Sequence, residues 1–572
     1  MTSSLVELRV LEGPNLYFPR AAIKLTLDLT GVIDAPEARA MRFATRIGLP
    51  RARPGEPGSG FRQRFAARAV ARLVRHIAAE SGVTRLAVRV RPTNDVHQLV
   101  VAYPWRNRTR AQALGRAVAE VLDGVAAVGA VGERSTDLEE IVFEAAAIVR
   151  ASERGPAPTT IRPRIPIVAV TGTNGKTTTS RMIAHIARTH GLHVGWSSTD
   201  GIYIDGELVE AGDYSGPSGA GRVLAHKEVQ LAVTETARGG ILLKGIGLAY
   251  NHVSVFTNVS ADHLGMHGID TVDQLAEVKG IVSRITRPDG WAVLNADDPR
   301  VLATRTQIKA KPWAFSRDAD SPALREVLND GGRATTVIDG WVCVLESDAD
   351  PDPIIEVVNI PMTLAGLSRF NLENALGAAS AALAIGMPRE AVVAGLTSFR
   401  PDPEHNPGRM NLFSRDDVSV VIDLAHNEAG LEALLEIMDG VRRPGARLLL
   451  ALGAVGDRQD EIVGSLGEMG ARDADVAVIA HKAKYLRGRT TDELDELFRA
   501  GAARVGVEDV PSYPTEVAGL EALVDQAKPG DVVGLMCHED RQGVYDWLAE
   551  AGFTVDSPET LRDKVRAARP PR

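Results

Sequence analysis

Val170-Thr171-Gly172-Thr173-Asn174-Gly175-Lys176-Thr177-Thr178-Thr179 is the stretch that decides the fold. The β-branched run at 167–170 reads as a strand, the small residues after it as a turn, and the threonines as the start of a helix. That order places successive backbone N–H groups around a polyphosphate, and the helix N-terminus adds its partial positive charge. Gly172 and Gly175 let the backbone come close, with Thr173, Asn174 and Thr178 in the same cradle. Lys176 can reach the β- and γ-phosphates, and the Thr177 hydroxyl can ligate Mg²⁺. The general Walker pattern asks for glycine five residues before Gly175. This chain has Val170 there, so the pattern is met in part.

Downstream, apolar runs at 231–234, 253–258 and 292–295 alternate with helical stretches, the rhythm of a parallel sheet in an α/β domain. The first run leads into Glu235 and the second into Asp262-His263. Ligands of open α/β sheets bind beyond the carboxyl ends of the strands, so Glu235 and His263 can converge on the phosphates as Mg²⁺ ligands, although histidine is uncommon beside oxygen donors. Around 398–409 the chain turns proline-rich. A second α/β rhythm follows, with strands at 418–423, 447–452, 476–480 and 531–536 and helices at 428–439 and 460–471.

Upstream lies a different unit. Extended stretches at 6–11 and 22–28, an amphipathic helix at 62–80, a hairpin of strands 86–90 and 96–103, and helices at 109–121 and 136–152 make an α+β module without a catalytic cluster. Residues 153–166, with four prolines among few apolar residues, read as a linker. The expected domains are 1–155, 156–400 and 401–572, matching roughly 150 residues per domain for 572 residues.

Composition narrows the class. With 44% apolar and 24% charged residues the chain is globular, not disordered or collagen-like. Two cysteines, Cys343 and Cys537, argue for a reducing compartment and against a Cys-based zinc site. The longest apolar run falls well short of the roughly 20 residues of a membrane span, and the N-terminus lacks a signal-peptide pattern. A cytoplasmic protein without a membrane partner is expected. Residues 1–160 carry a balance of +7 and the rest −16. No aromatic or zinc-ligand pattern accompanies that basic start, so no nucleic-acid partner is expected.

Taken together, GTNGKTTT, the Glu235 and His263 segments, Asn295-Ala296-Asp297-Asp298-Pro299, Asn371-Leu372-Glu373-Asn374 and Pro407-Gly408-Arg409-Met410 resemble the three-domain Mur ligase superfamily. Within it, Thr199-Asp200-Gly201-Ile202-Tyr203-Ile204, Glu235-Thr236-Ala237-Arg238-Gly239-Gly240, Gly456-Asp457-Arg458 and Leu486-Arg487-Gly488-Arg489 are similar to cyanophycin synthetases. So is the opening Leu11-Glu12-Gly13-Pro14-Asn15. The resemblance implies a P-loop-type central domain and a Rossmann-like C-terminal domain behind the small α+β domain. It also implies an ATP- and Mg²⁺-dependent ligase that activates a carboxylate as acyl phosphate and joins it to an amino acid amine, and homo-oligomers.

The resemblance assigns roles as well. Lys176 and His263 would serve catalysis, and Lys279 matches the position of a carbamylated lysine that helps hold a second Mg²⁺. Asn295, Asn371, Asn374, Arg409 and Asp423 match ATP-contacting positions. Asn371 can equally cap its helix. His426 and Asn427 either face the substrate or cap the next helix, and Arg238 pairs with a substrate carboxylate or within the protein.

Two departures from the pattern stand out. Cyanophycin synthetases carry an ATP-grasp domain between the N-terminal and Mur-like parts, and here only residues 153–166 fill that interval. Lys482-Ala483-Lys484-Tyr485 stands where acidic residues are expected, so the identity of the amine is not carried over. The alternatives are a ligase for a poly-γ-glutamate or folate-like acceptor, and a nucleotide-binding regulatory homologue without catalysis.

Overall fold

The computed structural model describes residues 4–49, 53–127, 138–262, 264–456 and 458–568. Three sheets organise them. The first is a four-stranded antiparallel sheet in the order Leu5–Leu11, Ala22–Asp28, Gln98–Pro104, Arg89–Pro92. Helix Gly60–Glu80 packs on it through the expected face, with Phe65, Val70, Leu73 and Ile77 all buried. Ser59 caps this helix by accepting from the Arg62 N–H at 3.1 Å. The hairpin is present, but its first strand begins three residues later than the apolar run at 86–90. Helix Glu37–Arg46 went unread in the sequence.

This unit is seated on the next one. Glu12 N donates to Lys244 O at 2.7 Å, and Ile246 N to Pro14 O at 2.8 Å. A Cβ on Gly13 would stand 1.9 Å from Ile246 O, so glycine is required for that approach. Arg91 and Glu277 form a bidentate pair across the same seam. Residues 153–166 do not hang free: Ile161 pairs with Leu248 in a bridge.

Seven parallel strands form the heart of the middle sheet, in the order Val194–Ser197, Leu231–Glu235, Ile167–Thr171, Asn251–Phe256, Thr286–Asn295, Lys311–Phe315, Arg333–Ile338. Both faces are covered. Val168 and Val170 enter one core, Ile167 and Ala169 the other. That is why the strand preceding the phosphate loop is continuously apolar. The parallel sheet expected from the rhythm is present, with additions at its edges. Antiparallel ribbons extend it at both ends, turning at Asp205-Gly206 and Asp339-Gly340 with positive φ at all four residues. Asp-Gly is a hairpin signal because both central positions of a type I′ turn need that backbone region.

The third sheet runs Ser512–Tyr513, Val476–Ala480, Leu448–Leu452, Val532–Met536, Val418–Asp423 in parallel, with Asn411–Arg415 and Thr554–Val555 antiparallel at one edge. Strands 418–423 and 476–480 match the sequence reading residue for residue. Each face is again buried, Val421 on one side, Val420 and Ile422 on the other. The carboxyl ends of these strands meet those of the middle sheet across the turn at 406–409.

Candidate active site

The phosphate loop leaves the carboxyl end of Ile167–Thr171 and enters helix Lys176–Thr189 through Gly175, whose φ of +82° is left-handed. A Cβ there would stand 2.1 Å from Asn374 Oδ1, so space and backbone both demand glycine. The neighbouring strand shapes the loop. Thr173 N donates to Asn258 O at 2.8 Å, Asn174 N to Asn258 Oδ1 at 2.9 Å, and Thr257 Oγ1 to Asn174 O at 2.6 Å. Lys176 folds back over the turn and donates to Thr173 O at 2.8 Å.

Beneath the loop, Thr177 Oγ1 donates to Glu235 Oε2 at 2.9 Å. Glu235 is buried, and its other oxygen has no partner among the described residues. Burial pushes this carboxyl up, against the pull of Lys176 and the Thr177 hydrogen bond. A hydroxyl and a carboxylate with one bare oxygen, side by side at the phosphate loop, suit a hard oxygen-seeking cation. His263 lies outside the described residues, and among these no larger cluster of metal-ligating side chains gathers. Lys279, buried behind the loop, donates to Gly172 O at 2.5 Å. Burial first, and then the charge of Lys176, hold its amine well below the ordinary lysine range.

A cleft of about 120 Å³ lies between the loop and the C-terminal unit. Residues 173–178, with Asn371 and Asn374 packed beside them, and Arg409, Asp423 and His426 all line it. Asn371 does not cap its helix. Ser368 does, accepting from Asn371 N at 3.3 Å, and the helix begins at Arg369. Asn371 and Asn374 are instead linked side chain to side chain at 3.2 Å and buried at the cleft. Asp423, pushed up to about 6 by burial, accepts from the N–H groups of Met410 and Ala425 beside Arg409. His426 is pushed down to about 3, first by burial and then by Arg458. Asn427 plays two parts: it caps helix Glu428–Val441 through Gly430 N and donates to Asn174 Oδ1 of the phosphate loop at 3.3 Å.

Two predicted residues stand apart. Asn295 does not line the cleft; its amide donates to Thr257 O at 2.7 Å and Glu373 Oε2 at 3.2 Å. Arg238 opens helix Arg238–Leu243 with Nη1 buried and without a partner among the described residues, near the Arg458–Asp262 ion pair. Lys482, from the loop that departs from the family pattern, does not face a substrate. It is 0% exposed, paired with Glu516 at 2.9 Å and bonded to Met536 O.

Sequence reasoning missed Thr257 and Asn258, which shape the loop, and Arg181 and Arg541, which hold the turn at 406–409. The polar Thr-Asn pair closing an apolar strand was the one available signal for the first two.

Residues 170–382 match the Mur ligase middle domain, and residues 408–537 match the Mur ligase, glutamate ligase domain. The chain belongs to the Mur ligase family. Among its relatives, the cyanophycin synthetase of Crocosphaera subtropica is 40% identical over 371 residues, 65% of this chain and 42% of that protein. That of Synechocystis sp. is 41% identical over 402 residues, 70% of this chain and 43% of the relative. The chain thus spans about two fifths of the length of these relatives. A solved bifunctional folylpolyglutamate synthase/dihydrofolate synthase with Mn, AMPPNP and L-glutamate bound has a TM-score of 0.50 at 18% identity. It covers 68% of this chain and 89% of that one, a likeness of fold. No helix among the described residues is long and apolar enough to cross a membrane.

Proposed function

We propose that this ligase uses ATP and Mg²⁺ to activate a carboxylate of a peptide or polymer acceptor and joins it to the amine of an amino acid, as the similarity to cyanophycin synthetases implies. The observation that carries the reading is that the phosphate loop, Thr177 included, lines one cleft with Arg409, Asp423 and His426, with Glu235 bonded to Thr177 beneath the loop. The domain division proposed is 1–155, 156–400 and 401–572, in keeping with the three sheets.

A carboxylate is a poor electrophile, and phosphorylation turns its oxygen into a leaving group. Such a transfer asks the protein for positioning and charge neutralisation. The loop amides and Lys176 hold the phosphates, Asn371 and Asn374 contact the nucleotide from beside the loop, and Arg409 and Asp423 close on it from the C-terminal side. Thr177 and Glu235, with His263, would hold Mg²⁺, which neutralises charge on the phosphates. Lys279, whose ammonium form burial disfavours, is disposed toward carbamylation by carbon dioxide, which would give a carboxylate for a second cation. Arg238 offers its buried Nη1, without a partner among the described residues, to a substrate carboxylate, and His426 and Asn427 contribute to substrate binding. Closure of the two units keeps water from the acyl phosphate.

The test is phosphate release by the purified chain with ATP, Mg²⁺ and a panel of aspartyl and glutamyl peptides and amino acids, with products identified by mass. Turnover that needs both an acceptor and an amine supports the ligase. Nucleotide binding without turnover for any pair supports the non-catalytic reading instead. Lys176→Ala abolishes turnover and leaves the fold intact; wild-type rates in that variant overturn the site.

A further inference from the structure

The turn at 406–409, which carries Arg409 to the cleft, is gripped from both sides by groups assembled on one carboxylate outside the nucleotide site. Asp200 stands in the loop after Val194–Ser197, two strands from the phosphate loop. Its Oδ2 accepts from Arg181 Nη2 at 2.7 Å, and its Oδ1 accepts from Arg541 Nη2. The two guanidiniums come from different units. Arg181 belongs to helix Lys176–Thr189, while Arg541 opens helix Arg541–Glu550 of the C-terminal unit.

Both arginines also hold the turn itself. Arg541 Nη1 donates to Pro407 O at 3.0 Å, and Arg181 Nη1 donates to Asn406 Oδ1 at 3.2 Å. Gly408 N donates to the Tyr545 hydroxyl at 2.7 Å from the C-terminal side, and Asn406 Nδ2 donates to Thr178 Oγ1 at 3.3 Å from the phosphate-loop side. Immediately beyond, Met410 N is tied to Asp423.

The electrostatics explain why an acid is needed here. Arg181, Arg409 and Arg541 converge on one turn and repel one another in a poorly solvated place, Arg181 being only 3% exposed. Burial alone would raise the Asp200 carboxyl, yet Arg181, Arg541 and Arg409 outweigh it and keep the group below the ordinary aspartate range. The aspartate therefore neutralises a cationic cluster that would otherwise push the two units apart.

We propose that Asp200 is a positioning residue: bridging Arg181 to Arg541, it locks the C-terminal unit against the middle unit and thereby fixes Arg409 at the nucleotide. The inference rests on the reading that Arg409 meets the nucleotide.

The experiment titrates the full chain with AMPPNP and Mg²⁺ by calorimetry for wild type, Asp200→Asn, Arg541→Gln, Arg409→Ala and the paired variants. X-ray scattering follows closure in parallel. Asp200→Asn and Arg541→Gln each weaken binding about tenfold, and their combination weakens it no further, as expected for partners in one interaction. In the Arg409→Ala background Asp200→Asn has no effect, which a merely structural role would not produce. The radius of gyration contracts with AMPPNP in wild type and not in Asp200→Asn.

Wild-type affinity in Asp200→Asn, or equal losses with and without Arg409, overturns the proposal. Absence of AMPPNP binding by wild type overturns the nucleotide reading itself. Arg541, at 27% side-chain exposure, supplies the variant that folds if Asp200→Asn does not.

Discussion

Thr177 Oγ1 donates to Glu235 Oε2 at 2.9 Å, and Glu235 Oε1, buried beside it, is left without a partner among the described residues. An unpartnered buried carboxylate oxygen is costly in an isolated protein and useful where a cation binds. Glu235→Gln keeps the Thr177 contact and removes the charge. Acceptor-dependent phosphate release then falls by roughly 100-fold or more, and the Mg²⁺ concentration for half-maximal rate rises. Rates measured against Mg²⁺ check this, and an unaltered Mg²⁺ dependence removes Glu235 from the metal site.

Burial, and then Lys176, disfavour the ammonium form of Lys279 and hold its amine well below the ordinary lysine range. Protein equilibrated with ¹³C-bicarbonate shows a carbamate resonance that Lys279→Met lacks, and the variant turns over at least about tenfold more slowly. In buffer freed of carbon dioxide, the unfolded chain binds the extra proton. Wild-type stability therefore rises with pH up to the ordinary lysine range, and the slope is smaller in Lys279→Met.

Asp423 ties the pH response of the cleft to Arg409. Its carboxyl is pushed up to about 6 by burial, with Arg409 and the N–H groups of Met410 and Ala425 pulling the other way. A raised carboxyl contributes stability in its protonated form. That contribution is complete below the unfolded value near 4 and is lost as pH rises through about 6. Nucleotide binding has the opposite sign, since the ionised group attracts Arg409 and the neutral one does not. AMPPNP affinity declines as pH falls through about 6, and calorimetry finds this inflection missing in Asp423→Asn.

Lys482 and Glu516 test the C-terminal unit. Besides Lys482, Glu516 accepts from the N–H groups of His538, Glu539 and Asp540, so the pair pins the turn after Val532–Met536. Lys482→Met strands a buried carboxylate and destabilises by about 3–5 kcal/mol in urea unfolding. Adding Glu516→Gln recovers part of that loss. Additive losses indicate two independent roles.

Much of the scaffold was legible because local chemistry and tertiary need coincide in it. A strand buried on both faces must be apolar throughout, so Ile167–Thr171, Val418–Asp423 and Val476–Ala480 announce themselves. Glycines in the phosphate loop are readable because no side chain fits there. Antiparallel ribbons at the sheet edges went unread although Asp205-Gly206 and Asp339-Gly340 mark their turns. Whether Asn371 caps Arg369–Ala384 stayed open in the sequence because Ser368 and Asn371 are both competent caps and only the backbone conformation chooses between them. The family resemblance pointed to Arg409 and Asp423, but local pattern could not show what holds them.

By itself the chain of residues determined the strand, glycine turn and helix of 167–189 and which strands are buried. Those properties follow from side-chain size, polarity and backbone freedom within a few neighbours. Tertiary structure alone decided that Lys482 is spent inside the C-terminal core, that Asn295 braces a strand end, and that Asp200 gathers arginines from two units. Charge interactions depend on distance and burial, and both are set by strands and helices far apart in the chain.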